Sequence, residues 1–201
     1  PVLAAEYRHR TSNGALDMDG SLTEDSDDDI RGHVRGKFRY DVDDTWRVGA
    51  EIDRASDDTY LRRYGFSSSD TLTSRLFAEG FRKRNHLAVN GYTFQGLREE
   101  DDFGTTPIIL PMIDFNHVGE ADRLGGRTSL DINLMALTRT GGTDSRRLSV
   151  DAGWERPFVS PLGDLYTLTV SMRGDLYHVD DVVRTPQQPE FSGITGRMIP
   201  Q

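Results

Sequence analysis

From Ile30 to Val42 the chain alternates without interruption. Ile30, Gly32, Val34, Gly36, Phe38, Tyr40 and Val42 share one face, and Arg31, His33, Arg35, Lys37, Arg39 and Asp41 share the other. A period of two residues is the signature of an extended strand with unlike environments on its two sides. The pattern recurs. Trp46, Val48, Ala50 and Ile52 lie opposite Arg47, Glu51 and Asp53. Leu130, Ile132, Leu134 and Ala136 share a face, as do Leu148, Val150, Ala152 and Trp154. Leu168, Val170, Met172, Gly174 and Leu176 do so over 165–178, opposite Arg173 and Asp175.

Turn signals separate these runs. Ser12–Ala15 (SNGA) predicts a tight hairpin between strands near 3–10 and 16–22. Asp43–Thr45 and Lys83–His86 predict further turns, and 71–82, 87–97 and 108–118 read as strands. Helical periodicity is lacking, so the prediction is an antiparallel up-and-down arrangement of about ten strands with no crossover helices. We expect residues 1–201 to be part of one β-barrel domain, with 180–201 a loop or the start of a further strand.

Two environments accept such strands: a soluble barrel or sandwich with its apolar face inside, and a transmembrane barrel with its apolar face in lipid. Strand length favours the second. The runs 30–42 and 165–178 exceed the five or six residues common in soluble sheets and match the roughly 9–11 needed to cross a bilayer at a tilt. Sidedness agrees. An Arg or Lys facing lipid costs about 2–4 kcal/mol at the midplane, and the apolar face of 30–42 carries neither. Small residues on that face (Gly32, Gly36, Ala50) would leave voids in a protein core, whereas fluid lipid fills around them. Tyr40, Trp46, Phe81, Trp154 and Tyr166 fall near the turns at one rim, as an interfacial aromatic girdle would.

The face assignment therefore places Val34, Phe38, Tyr40, Trp46, Val48, Leu130, Ile132, Leu134, Val150, Trp154, Leu168, Val170 and Met172 toward lipid. Arg31, His33, Arg35, Lys37, Arg39, Glu51, Asp53, Arg173 and Asp175 are expected toward a wet lumen. A porin, another outer-membrane transporter and a soluble periplasmic binding module remain open on pattern alone.

Composition trims the alternatives. The chain is 28% charged and 35% hydrophobic, a lean apolar share for a soluble core of this size. A net charge of -9 argues against a nucleic-acid partner. Cysteine is absent, which removes thiolate metal sites from this sequence. No run of apolar residues is long enough for a transmembrane helix. Both ends read as cuts, so we expect an interior piece of a longer barrel.

Catalytic signals are weak. His9, His33, His86, His117 and His178 lack metal-ligand spacing and read as solvated side chains. Gly32–Lys37 (GHVRGK) is one residue short of a phosphate loop and lies in a strand. The Ser67–Ser69 run has no nucleophile elbow. No cofactor is expected. The acidic stretches Glu24–Asp29 and Glu99–Asp102 lack the glycine of a calcium loop, and divalent cations there are the one ion-binding expectation. The basic stripe of 30–42 reads as a wet wall balanced by acids such as Glu51 and Asp53.

One succession of motifs goes further. Ser56, Asp57, Tyr60 and Leu61 are followed by Tyr64 and Gly65, then by a strand opening at Thr71–Ser74. Pro107, Leu110, Pro111, Ile113, Asp114 and Phe115 form a second element, and Glu6–Gly14 with Gly20–Asp25 a third. In this order they resemble the LptD (OstA) lipopolysaccharide-assembly proteins. The resemblance implies a large barrel in the outer membrane of a Gram-negative bacterium that inserts lipopolysaccharide into the outer leaflet. It further implies an LptE-like lipoprotein plug, a periplasmic Lpt bridge reached through an N-terminal domain absent from this sequence, and transport rather than an enzyme's covalent chemistry.

Overall fold

A computed structural model describes residues 1–24, 29–102, 105–182 and 191–200. Eleven strands are present among the described residues: β1 (Val2–Arg10), β2 (Gly14–Glu24), β3 (Ile30–Asp41), β4 (Trp46–Ala55), β5 (Thr71–Arg82), β6 (Asn85–Gly96), β7 (Ile108–Val118), β8 (Arg127–Thr138), β9 (Asp144–Val159), β10 (Leu165–Val182) and β11 (Phe191–Pro200). Among the described residues one four-residue helix, α1 (Tyr60–Arg63), interrupts them. The sheet order is β1 through β11 in sequence, an up-and-down meander, and every pairing resolved in register is antiparallel. The eleventh strand occupies the segment expected to be a loop or a strand start.

The strands run from 9 to 18 residues. β9 extends to Val159, beyond the apolar face that ends at Trp154, because its ladder with β10 continues without a break to the pair Val159 and Leu165. The turns are built from local chemistry. Asp43 Oδ1 accepts from Thr45 N and Trp46 N at 2.7 Å each, closing the β3–β4 hairpin as an Asx turn. Lys83 adopts φ 56° in the tight β5–β6 turn. In a meander the connections alternate between strand ends, and the two long ones, 56–70 and 97–107, fall in the same set. The other set holds the tightest turns, 11–13 and 83–84. Short turns at one end and long loops at the other are a habit of outer-membrane barrels.

The chain divides into two compact units. One comprises Pro1–Ala78, Asn90–Leu110 and Leu137–Gly142; the other comprises Glu79–Val89, Pro111–Ala136 and Thr143–Gln201. In the first, the apolar side chains Val34 and Phe38 are 39% and 41% exposed, while His33 on the opposite face is 6% exposed. In the second, Val170 and Met172 are 58% and 51% exposed, while Asp175 is 2% exposed. A soluble sheet would show the reverse. No helix among the described residues is long and apolar enough to cross a membrane, which leaves crossing by strands untouched.

Gly32 has a cause that the alternation hid. A Cβ there would stand 2.4 Å from the Ser21 carbonyl oxygen and 2.7 Å from Leu22 Cδ2. The glycine is set by close approach of β2, not by lipid filling around a small residue.

Candidate functional site

The charged face of β2–β4 is an ordered lattice. Register places Arg8, Asp17, Lys37 and Glu51 in one row across four strands, with signs alternating at every step. The next row runs Glu6, Asp19, Arg35 and Asp53. Arg35 and Lys37 of the basic stripe are thus flanked by acids on both neighbours, and Arg35 Nε stands 3.6 Å from Asp19 Oδ2. Cross-strand opposite charges stabilise a sheet by roughly 0.2–1 kcal/mol per pair. The first row is neutral, while the second holds three acids to one base. Asp17, Asp19, Lys37 and Asp53 line a cavity of about 380 Å³ on this face.

At the start of β3 the same face is covered by loop 56–70. Arg31 Nη2 and Nε donate to the Asp57 carboxylate at 2.5 and 2.8 Å, a forked pair that fixes the loop's entry. Asp57 Oδ1 also accepts from Thr59 N and Tyr60 N at 3.0 and 2.9 Å, starting α1. The Arg31 guanidinium, with the Ser56 and Thr59 hydroxyls, holds the Asp57 carboxyl well below the usual carboxylate range. At the loop's exit, Asp70 pairs with Arg98 at 2.9 Å and also with Arg62. The hydrogen bond from Arg98 lowers its pKa most.

Between these anchors the chain turns aromatic side chains onto the polar wall. The Tyr60 hydroxyl lies 2.6 Å from Ser21 Oγ, which lies 2.7 Å from His33 Nδ1. The Phe66 ring sits 4.4 Å from the His33 ring, and Arg35 Nη2 donates to the Phe66 carbonyl at 3.4 Å. Tyr60, Leu61, Leu72 and Leu97 form a fully buried apolar cluster beneath the loop. His33, expected to be solvated, is enclosed because this loop closes over it.

The second unit carries a different polar wall. Asp175 Oδ1 accepts from Ser149 Oγ at 2.6 Å and from Arg173 Nε at 3.2 Å, and its second oxygen accepts from Arg197 at 3.4 Å. Nearby, Asn133 Nδ2 donates to Asp114 at 2.5 Å, Asn116 Nδ2 donates to Asp131 at 2.5 Å, and Arg147 Nη2 donates to Asn133 at 2.7 Å. These groups surround a cavity of about 300 Å³.

Of the residues singled out for a lumen, Arg31, His33 and Arg35 meet beneath loop 56–70, and Arg173 meets Asp175. Lys37, Arg39 and Glu51 stay exposed, Asp53 is half-buried, and Arg39 contacts Asp41 at 3.4 Å. Of those singled out for lipid, Val34, Phe38, Tyr40, Trp46, Leu168, Val170 and Met172 are exposed. Val48, Leu130, Ile132, Leu134, Val150 and Trp154 are half-buried by neighbouring side chains. Trp154 Nε1 donates to Asp122 Oδ2 at 2.8 Å, which ties a girdle residue to the β7–β8 turn. Sequence reasoning missed Phe66 and the covering role of Tyr60 and Leu61. The signal was present, since Asp57, Tyr60 and Leu61 sit in one of the motifs noted above. Among the described residues no group of three or more His, Asp and Glu is placed to hold a metal ion. Residues 25–28 of the Glu24–Asp29 stretch lie outside the described residues.

No curated protein matches the chain. The family model described as LptD, LPS transport system D, matches residues 29–200. That span takes in the charged lattice of β3 and β4, the tucked loop and every strand from β3 to β11, so this chain belongs to the LptD family, an outer-membrane transport and assembly family of Gram-negative bacteria.

Proposed function

We propose that this chain forms wall strands of a barrel that guides lipopolysaccharide into the outer leaflet, with its polar face toward the passage and its apolar face toward lipid. One observation carries the reading. In each unit polar side chains of one face are buried among partners (Ser21 and His33 in the first, Ser149 and Asp175 in the second) while large apolar side chains on the other face are exposed, the inverse of a soluble sheet. A hydrogen-bonding wall in which Arg35 and Lys37 each stand between acids suits passage of a sugar and phosphate head group. Paired charges solvate it without holding it, whereas an unbalanced basic stripe would trap phosphates.

Loop 56–70 narrows this face, and we assign it the role of fixed cover rather than conduit. Membership of the family supports a lipoprotein plug seated against the polar face and a periplasmic bridge delivering lipid through a further domain. Phe38→Arg should strongly reduce the yield of folded, heat-modifiable barrel, because Phe38 pairs with Ala50 in the middle of β4 and a lipid-facing Arg costs about 2–4 kcal/mol near the midplane. Arg35→Ala should leave that yield nearly unchanged. A photo-crosslinking side chain at Lys37 should capture lipopolysaccharide in cells, and one at Phe38 should capture far less during transport. Capture from Phe38 alone, or equal tolerance of the two substitutions, would refute the assignment of faces.

A further inference from the structure

Across β3 and β4, the face that presents Val34 and Phe38 is apolar with one exception. Arg54 lies on the same face of β4 as Ile52 and opposite Val34 in the β3–β4 register. Its guanidinium reaches across the sheet to the Thr93 hydroxyl on β6. Together they head a groove of about 300 Å³ whose walls are Ile52, Leu76, Ile108 and Leu110, all exposed. Gly91 forms its floor, where a Cβ would stand 2.9 Å from Leu110 Cδ1.

Position gives the exception meaning. Arg54 is next to the last residue of β4, where the strand enters the long loop 56–70, and Ile108 opens β7 after the long loop 97–107. The guanidinium therefore sits at one end of the apolar band, where a lipid-exposed Arg costs only about 0–1 kcal/mol. A charge at that depth meets lipid phosphates, and Arg binds phosphate through a planar fork of donors. The single hydrogen bond to Thr93 leaves guanidinium N–H groups available to a second acceptor. Apolar walls below a cationic head have the form of a site for one lipid, chain in the groove and phosphate above.

We propose that this groove binds one phosphate-bearing membrane lipid, its phosphate on Arg54 and one acyl chain along Ile52, Leu76 and Leu110. The inference rests on the reading that the apolar face meets lipid. It concerns the outer surface of the wall, so it is independent of the transport path.

The test uses the purified full-length barrel in detergent and native mass spectrometry. The probes are phosphatidic acid, diacylglycerol with the same chains, and inorganic phosphate. Phosphatidic acid should be retained at least tenfold over diacylglycerol. Arg54→Gln should abolish that preference, while Arg54→Lys should keep part of it. Thr93→Val, which frees the guanidinium, should preserve or strengthen it, and Leu110→Asn should weaken retention of both lipids. Inorganic phosphate should not be retained. Equal phosphatidic acid retention by wild type and Arg54→Gln would overturn the site. So would retention of inorganic phosphate at the level of the lipid. If neither lipid is retained by any form, the site is overturned, while the reading that the apolar face meets lipid is decided separately by Phe38→Arg and Arg35→Ala. Heat-modifiable gel mobility checks that each variant is folded, and Arg54→Lys decides the matter should Arg54→Gln fail that check.

Discussion

The polar faces of the two units solve the same problem in different ways. In the first, the wall around His33 and Ser21 is closed by a loop that brings its own apolar material, and Tyr60, Leu61, Leu72 and Leu97 are dry. In the second, Asp175 is equally buried, but its cover is Ser149, Arg173 and Arg197, side chains of the wall itself. A polar surface can thus be withdrawn from water by a lid with a hydrophobic core or by saturating each group with neighbours. The lid is held by packing and should come away as a unit. The saturated network is part of the sheet and should fail only with it.

The largest expected effect is at Tyr60. Tyr60→Ala removes a fully buried ring, worth about 3–5 kcal/mol. That loss should fall on the loop, so limited proteolysis should cut within 56–70 while the strands keep their heat-modifiable mobility. Simultaneous loss of the barrel would mean that the loop cluster is part of the global fold and erase the contrast drawn here.

Next is the Arg31–Asp57 anchor, whose charge-assisted hydrogen bonds contribute about 1.5–3 kcal/mol each. The Asp57 carboxyl is held below its ordinary value, so the stabilisation is complete above the unfolded carboxylate range and is lost as pH falls through the lowered folded value. Protease protection of the loop should therefore be flat from neutral pH to about 4 and decline only below that. Arg31→Gln removes the principal cause of the shift, so the loop should be less protected at neutral pH and lose less of that protection on acidification.

In the second unit, Asp175→Ala leaves the buried Ser149 hydroxyl without its acceptor, a loss of about 1–3 kcal/mol. Here the readout is the urea midpoint of the whole sheet, and local proteolysis should not change. Enhanced cutting with an unchanged midpoint would show that this wall, too, opens locally. The smallest effect is at the exposed Arg10–Asp17 pair, 2.8 Å apart in the β1–β2 hairpin. Arg10→Ala should shift the same midpoint by an amount equivalent to about 0–1 kcal/mol. A larger shift would show that this hairpin is more tightly constrained than its exposure suggests.

Much of the candidate site was legible in parts. The basic stripe of β3 and the acids of β4 were visible as alternation, because side-chain parity along a strand follows from covalent geometry. The acids of β2 completed the lattice only through register, which fixes which charge stands beside which. The turns at Ser12–Ala15 and Asp43–Thr45 were readable because their residues act within the turn. The covering of His33 was not, since Ser21 and Tyr60 are far apart in sequence and nothing local marks them as neighbours. Phe66 likewise looked like a loop residue until the loop was seen to fold back.

What the sequence determined by itself is the two-residue period, the antiparallel order and the division of each strand into an apolar and a charged side, all properties of neighbours along the chain. What only the tertiary structure decided is which polar groups lose water. That depends on long-range approach: a loop docking across β2 and β3, a glycine admitting a neighbouring backbone at Gly32, and Arg54 reaching across the sheet to Thr93. Desolvation is a property of everything within a few ångströms of an atom, and a one-dimensional pattern specifies only a fraction of that company.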